Sequence, residues 1–333
     1  MVEQLKIYNG MPVLVTGGAG FIGSHLVRKL VECGAQVRVL DNFSHGTRAN
    51  IADIAHKIEV IEGDIRRPED CSRAAAGCTV AFHLAALGSV PASVEDPLGY
   101  NAVNVNGTLQ ILEACRGAGL RRIVYSASSA AYGDSPVLPK TEAMAPSPKS
   151  PYAVGKLVGE YYVRVYAEVY GLSGVSLRYF NVFGPRQNPK SQYAAVIPAF
   201  IAAILAGEPV TIYGDGGQTR DFCHVDNVVL ANLLAGSSAR VLTGEVVNVA
   251  SGENISLNAM QDMMEQHTGA KVQRRHAATR AGDVRDSLAD IRAAQNLLGY
   301  RPLKYFEPGL VETIAWYKSH QGGVSAGGPD AQV

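Results

Sequence analysis

The chain has 333 residues, enough for a large core or for two lobes around a cleft. Its 30 Lys+Arg balance 30 Asp+Glu, so no net field draws in a polyanion or an acidic membrane surface, which argues against nucleic acid and for a small-molecule partner. Five scattered cysteines (Cys33, Cys71, Cys78, Cys115, Cys223), with no CxxC pair and no clustered histidines, fit reduced thiols rather than a disulfide frame or a metal site.

In chain order, "MVEQLKIYNG" lacks the basic and apolar regions of a signal peptide. Short apolar runs follow: "PVLVT" (12–16), "VRVL" (37–40), "IEVI" (58–61), "VAFHL" (80–84) and "RIVYS" (122–126), alternating with helical patterns. Strands alternating with crossover helices predict a parallel sheet with helices on both faces, and unbroken apolar runs mean that both faces are covered. The expected fold is α/β, a Rossmann-type doubly wound parallel sheet with a smaller α/β substrate-binding lobe. Beyond about residue 180, turns such as "FGPRQNPKS" (183–191) and "YGDGGQTRD" (213–221) separate helices like "VDNVVLANLLA" (225–235). "VIPAFIAAIL" (196–205) is too short for a membrane span and contains proline. The division expected is 1–180 for the dinucleotide-binding part, completed by about 221–250, then 181–321 mainly for the second lobe, and a disordered tail at 322–333. A soluble, cytoplasmic protein is expected.

"VLVTGGAGFIGSHL" (13–26) runs a buried strand through Gly17, Gly18, Gly20 and Gly23 into an apolar helix. Glycines there permit a tight turn and let the backbone approach a pyrophosphate at the positive end of the helix. After the second strand comes Asp41, an acid placed to accept hydrogen bonds from both hydroxyls of an adenosine ribose and to repel a 2′-phosphate, which favours NAD over NADP. Asp64 and Ile65 end the third strand where the adenine would lie, although a simple strand-end turn would look the same. His83 is read as a satisfied core histidine.

In "SPYAVGK" (150–156), Tyr152 and Lys156 lie four apart behind Pro151, a residue favoured at a helix start, so both project from one face. A phenol has a reference pKa of about 10. A neighbouring ammonium and a positive nicotinamide ring would favour the phenolate and make Tyr152 a general base. Ser128, following the fifth strand, sits where a second hydroxyl can bond the same substrate oxygen.

These motifs, together with "LDN", "GDI", "HLAA" (83–86), "NVNGT" (104–108), "RYFNVFGPRQ" (178–187), "RDFCHVDN" (220–227) and "RAGDVRDSLAD" (280–290), make the chain resemble the extended short-chain dehydrogenase/reductases, and among them the UDP-sugar 4-epimerases, from about residue 10 to 318. The resemblance implies NAD bound by Gly17, Gly20, Phe21, Ile22, Gly23, Asp41, Asn42, Asp64, Ile65, Leu84, Ala85, Ala86, Asn104, Ser126, Tyr152, Lys156 and Tyr179. It implies a catalytic set of Ser128, Tyr152 and Lys156 that oxidises C4 of a UDP-sugar and returns the hydride to the other face. For the substrate it implies Gly88, Ser89, Ser128, Ser129, Asn181, Ala195, Val196, Tyr213, Arg220, Arg280, Asp283 and Ser287. The arginines suit phosphate because a planar guanidinium donates two bonds at once.

Sugar 4,6-dehydratases resemble this pattern but carry an Asp-Glu pair just after the catalytic Ser or Thr; here Ser129, Ala130 and Ala131 stand there, so elimination lacks its acid and base. In the resembled group a residue before the last "xAD" gates the sugar pocket, and the small Ser287 leaves room for a 2-acetamido group. The expected substrates are UDP-GlcNAc and UDP-GalNAc, with UDP-glucose/galactose or a hexuronic acid as the near alternative. A regulatory NAD-sensing module is the non-enzymatic alternative. By the same resemblance, helices at about 97–118 and 152–171 would pair in a homodimer as a four-helix bundle.

Overall fold

The computed structural model describes residues 5–189, 195–278 and 285–320. The strands begin with β1 (Pro12–Thr16), β2 (Gln36–Asp41), β3 (Ile58–Glu62), β4 (Val80–His83), β5 (Arg122–Ser128) and β6 (Ser173–Tyr179). Four short strands follow, β7 (Val182–Phe183), β8 (Val210–Tyr213), β9 (Thr219–Arg220) and β10 (Cys223–His224), then β11 (Thr243–Val249), β12 (Ile255–Ser256) and β13 (Arg274–Ala277). Seven of them form one sheet in the order β11-β6-β5-β4-β1-β2-β3, every pairing parallel.

The helices are α1 (Phe21–Glu32), α2 (Pro68–Ala75), α3 (Val90–Glu95), α4 (Pro97–Asn101), α5 (Thr108–Gly117), α6 (Pro151–Tyr170), α7 (Val196–Ala206), α8 (Val225–Ser237), α9 (Leu257–Thr268), α10 (Arg292–Leu298) and α11 (Phe306–His320). The sheet's side chains divide by alternation. Val13, Val15, Val37 and Val39 join a core with residues of α1 and α8, whereas Leu14, Leu40, Ile123 and Tyr125 join one with residues of α2, α5 and α6. Both faces are dry, which is why these strands read as unbroken apolar runs. The fold is the Rossmann-type doubly wound sheet, and the chain reverses direction along it between β1 and β4.

A third core gathers Phe183, Ile197, Phe200, Ile201, Ile212, Phe222, Met260, Met264, Phe306 and Leu310. It takes residues from β7, α7, β8, α9 and α11 and stands beyond the carboxyl end of β6. The helical run expected over 97–118 is divided: α4 and α5 are joined by a π-helical segment, Ala102–Gly107. The tail at 322–333 lies outside the described residues.

Candidate active site

Ligands of open α/β sheets sit outside the carboxyl ends of the strands, at the point where strand order reverses. A cleft lies there, lined by Gly17, Gly20, Asp41, Asn42, Asp64, Ile65, Leu84, Ala85 and Ala86 among others. Nine residues singled out from scattered motifs thus share one wall. Leu40, Ser44, His45, Gly46, Gly63, Leu87 and Val103 complete the lining. The signal for Ser44 to Gly46 was their position directly after Asp41; Val103 had none, because it arrives on the π-helical segment.

The cleft fits a dinucleotide. Gly17 has φ +69°, and a Cβ there would lie 2.7 Å from the Ala85 backbone nitrogen, so the turn is closed to any side chain. At Gly23 a Cβ would come within 2.1 Å of the Gly17 carbonyl oxygen, which seats α1 against the turn. Gly20 caps α1 with no side-chain hydrogen bond, and the first turn holds no acid. Its orphan N–H groups therefore stand beside the cleft, an arrangement that favours phosphate. Phe21 and Ile22 open the helix.

Asp41 is the last residue of β2. Its Oδ2 accepts from the Ala19 N–H at 2.9 Å and its Oδ1 from the Phe43 N–H at 2.8 Å, and burial raises its pKa. The side chain is thereby fixed with acceptor capacity left on each oxygen, as a ribose diol requires. Asn42 donates from Nδ2 to Asp64 Oδ2 at 3.1 Å, and the Arg66 guanidinium holds the Asp64 carboxyl down to about 2. His83 is fully buried between Thr16 Oγ1 at 2.7 Å and Thr108 Oγ1 at 3.0 Å; burial lowers its pKa to about 3. It is a structural histidine.

Asn104 and Tyr179, which the resemblance assigns to the cofactor, have their polar atoms engaged within the protein. Asn104 Oδ1 accepts from the Leu87 N–H at 2.9 Å and its Nδ2 donates to the Leu87 carbonyl at 3.0 Å. That bidentate clamp shapes the loop after β4. The Tyr179 hydroxyl is buried against Asn232 of α8.

Ser150 caps α6, its Oγ accepting from the Ala153 N–H at 3.2 Å, with Pro151 in the first turn. The helix lies close on the sheet at Gly159, where a Cβ would lie 2.2 Å from the Tyr125 hydroxyl, and close on the π-helical segment at Gly155, where one would lie 3.2 Å from Asn104 Cβ. One turn apart on this helix stand Tyr152, whose hydroxyl faces the Ser128 side chain at the tip of β5, and Lys156. Lys156 Nζ donates to the Ser126 carbonyl at 2.8 Å and lies 3.3 Å from Ser126 Oγ.

The direction of the phenol's shift differs from the expectation. In the chain alone burial raises the Tyr152 pKa, and the nearby Ser128 side chain opposes that rise. Burial also lowers Lys156 to about 7. Lys156 Nζ is directed at Ser126 rather than at the phenol, so in the chain alone the phenol keeps its proton, and a positive charge entering beside it would favour the phenolate.

The remaining residues lie on several elements. Gly88 is exposed, and Ser89 caps α3, accepting from the Ala92 N–H at 3.2 Å. Ser129 opens the 3-10 turn after β5. Asn181 has φ +30° and donates from Nδ2 to the Asp221 carbonyl at 3.0 Å. Ala195 caps α7, which starts at Val196. Tyr213 ends β8, and Arg220 on β9 donates to the Thr219 and Arg285 carbonyls at 2.8 and 3.2 Å. Ser287 is half-buried, its N–H bonded to the Thr219 carbonyl at 3.1 Å. Arg280 and Asp283 lie outside the described residues.

Over residues 13–250 the sequence matches the profile of the NAD dependent epimerase/dehydratase family. The chain belongs to that family. It is 38% identical over 313 residues to a UDP-glucose 4-epimerase of Mycolicibacterium smegmatis, covering 93% of this chain and 99% of that one. Among solved structures, a UDP-N-acetylglucosamine 4-epimerase from Methanobrevibacter ruminantium, in complex with UDP-N-acetylmuramic acid, superposes with TM-score 0.89 at 40% identity, covering 94% of this chain and 99% of that one. A Thermus thermophilus UDP-glucose 4-epimerase in complex with NAD gives TM-score 0.85 at 37% identity, covering 92% and 99%. As a member of this epimerase family the protein is an NAD-dependent isomerase. Among the described residues no group of three or more His, Cys, Asp or Glu could hold a metal, and no helix is long and apolar enough to cross a membrane.

Proposed function

We propose that this epimerase inverts C4 of UDP-N-acetylhexosamines, interconverting UDP-GlcNAc and UDP-GalNAc, and also accepts UDP-glucose and UDP-galactose. The observation that carries the reading is the Tyr152 hydroxyl facing the Ser128 side chain at the tip of β5, with Ser129, Ala130 and Ala131 following Ser128 and no carboxylate among them. When bound, NAD supplies a hydride acceptor. Tyr152 takes the proton of the C4 hydroxyl as the C4 hydrogen leaves as hydride; Ser128 holds the same oxygen. The 4-keto sugar turns, the hydride returns to its other face, and Tyr152 gives back the proton, so atoms and electrons balance with no net redox change.

On this reading residues 1–180, with about 221–250, bind NAD, and 181–321 mainly form the lobe that holds the UDP, including Asn181, Val196, Tyr213, Arg220, Arg280 and Asp283. Anchoring through the nucleotide retains the ketone while its ring rotates. Ser287 supports the acetamido sugar. A second reading, preference for the unsubstituted hexose, is supported by the M. smegmatis relative. We further place the protein in the cytoplasm as a homodimer: Tyr161, Val165 and Val169 are 52%, 44% and 65% exposed at successive turns of α6, an apolar stripe suited to a four-helix bundle with a second copy.

The test is to incubate the purified protein separately with UDP-GlcNAc, UDP-glucose and UDP-glucuronate and to resolve the products. The first two should turn over, the acetamido sugar faster. Tyr152→Phe should lower both rates by roughly 10²- to 10⁴-fold, and Ser287→Tyr should harm the acetamido substrate selectively. Equal losses in the Ser287 variant would remove the gate, and turnover of the uronic acid alone would replace the substrate.

A further inference from the structure

Asp221 follows Arg220 and is fully buried, with both carboxylate oxygens and its carbonyl engaged. Its Oδ1 accepts from the Ser251 N–H at 3.0 Å and the Ser251 hydroxyl at 2.9 Å; its Oδ2 accepts from the Gly252 N–H at 3.1 Å and the Ala289 N–H at 3.2 Å. Burial lifts its pKa to about 6, so at neutral pH the carboxylate is ionised and all four partners act as donors. Four donors are what a buried carboxylate needs.

Those donors belong to two separate segments. Ser251 and Gly252 follow β11, on the edge of the main sheet, while Ala289 is two residues beyond Ser287. The segment carrying Ser287 runs beside β9 through the Thr219 N–H to Arg285 carbonyl bond and the Ser287 N–H to Thr219 carbonyl bond, both 3.1 Å. On its other side it meets Lys140, whose N–H donates to the Leu288 carbonyl at 2.7 Å and whose carbonyl accepts from the Asp290 N–H at 2.9 Å. The Asp221 main chain reaches a third place. Its carbonyl accepts from Asn181 Nδ2, and Cys223 donates to the Asn181 carbonyl at 3.3 Å. These two bonds hold Asn181 at a positive φ that non-glycine residues seldom adopt.

We infer that Asp221 is a positioning residue for the nucleotide sugar, one buried carboxylate fixing the Ser287 segment to the end of β11 at the point where the Asn181 loop is also held. This rests on the reading under Proposed function that Asn181 and Ser287 face that substrate. An apolar residue would pack the same space without desolvating a charge, but it would satisfy none of the four donors and would leave the two segments free to shift. Asp221 touches neither the cofactor cleft nor the Tyr152–Ser128 pair, so its loss acts on sugar binding and leaves NAD in place.

Calorimetry of UDP-N-acetylglucosamine, UDP-glucose and UDP binding to the NAD-loaded protein tests this, with bound NAD measured in the same samples. Asp221→Asn turns an NH2 group toward the N–H of Ser251 or of Gly252 and Ala289. It should weaken the sugars about tenfold or more, the shift of one lost charge-assisted bond, with NAD content unchanged and kcat within about threefold at saturating substrate. Ser251→Ala, which keeps the charge and removes one donor, should show a smaller loss in the same direction, and it decides the matter if the asparagine variant does not fold. Unchanged sugar affinity in both variants, or loss of NAD and sugar together, overturns the inference and leaves the epimerase reading standing. A parent protein that holds NAD and binds none of the three ligands overturns both.

Discussion

Lys156 is buried with its ammonium on the Ser126 carbonyl, so the charged form is the one the fold disfavours. Its folded pKa of about 7 lies below the unfolded value, near 10.4 for a free lysine. Between these values the unfolded chain binds more protons than the folded one, so this group makes stability rise with pH across that window and lowers it as pH falls toward 7. We expect the NAD-free protein to gain on the order of a few kcal/mol from pH 7 to pH 10 relative to Lys156→Met, read from urea unfolding at several pH values. Parallel pH profiles would mean that Lys156 is not a buried cation. The pairing of Tyr152 with Lys156 was legible in the sequence because helical spacing alone places them on one face. Their electrostatics were not, because burial depth is a property of the packed sheet and outweighs a neighbour's charge that is aimed elsewhere.

Helix α6 delivers both residues, and its seat depends on positions that carry no chemistry. A methyl group at Gly159 would overlap the ring and hydroxyl of Tyr125, which is itself 1% exposed and has no room to retreat. Gly159→Ala gains up to about 1 kcal/mol of helix propensity against roughly 1–3 kcal/mol of overpacking, so the clash should win. The variant should unfold at lower urea and lose kcat as Tyr152 and Lys156 move away from β5, while Gly155→Ala, whose nearest neighbours would be Asn104 Cβ at 3.2 Å and Val105 Cγ2 at 3.6 Å, should be milder. An active Gly159→Ala enzyme of parental stability would show that the close approach is dispensable. Strands and helix starts were readable because continuous Val/Ile/Leu runs and the Ser150–Pro151 cap are local signals. The π-helical segment bearing Val103 and Asn104 was not, since i→i+5 bonding is rare and carries no local residue signal comparable to a cap or a proline.

At the scale of the whole molecule, the doubly wound sheet was legible from alternating strands and helices, and the cofactor cleft followed from it. The third core was harder to read because its short strands, such as β7 and β9, are set by contacts distant in sequence. Beyond the single chain, the stripe of Tyr161, Val165 and Val169 should be covered by a second copy. Val165→Glu, which places a charge in the centre of that face, should shift sedimentation from dimer to monomer; a parent protein that sediments as a monomer would contradict the bundle. The most direct measurement follows the C4 hydrogen itself. With UDP-N-acetylglucosamine deuterated at C4 and turned over in ordinary water, the 4-epimer should keep its deuterium, because the hydride leaves and returns to the same carbon. A 4-epimer with hydrogen from water at C4 would contradict the account.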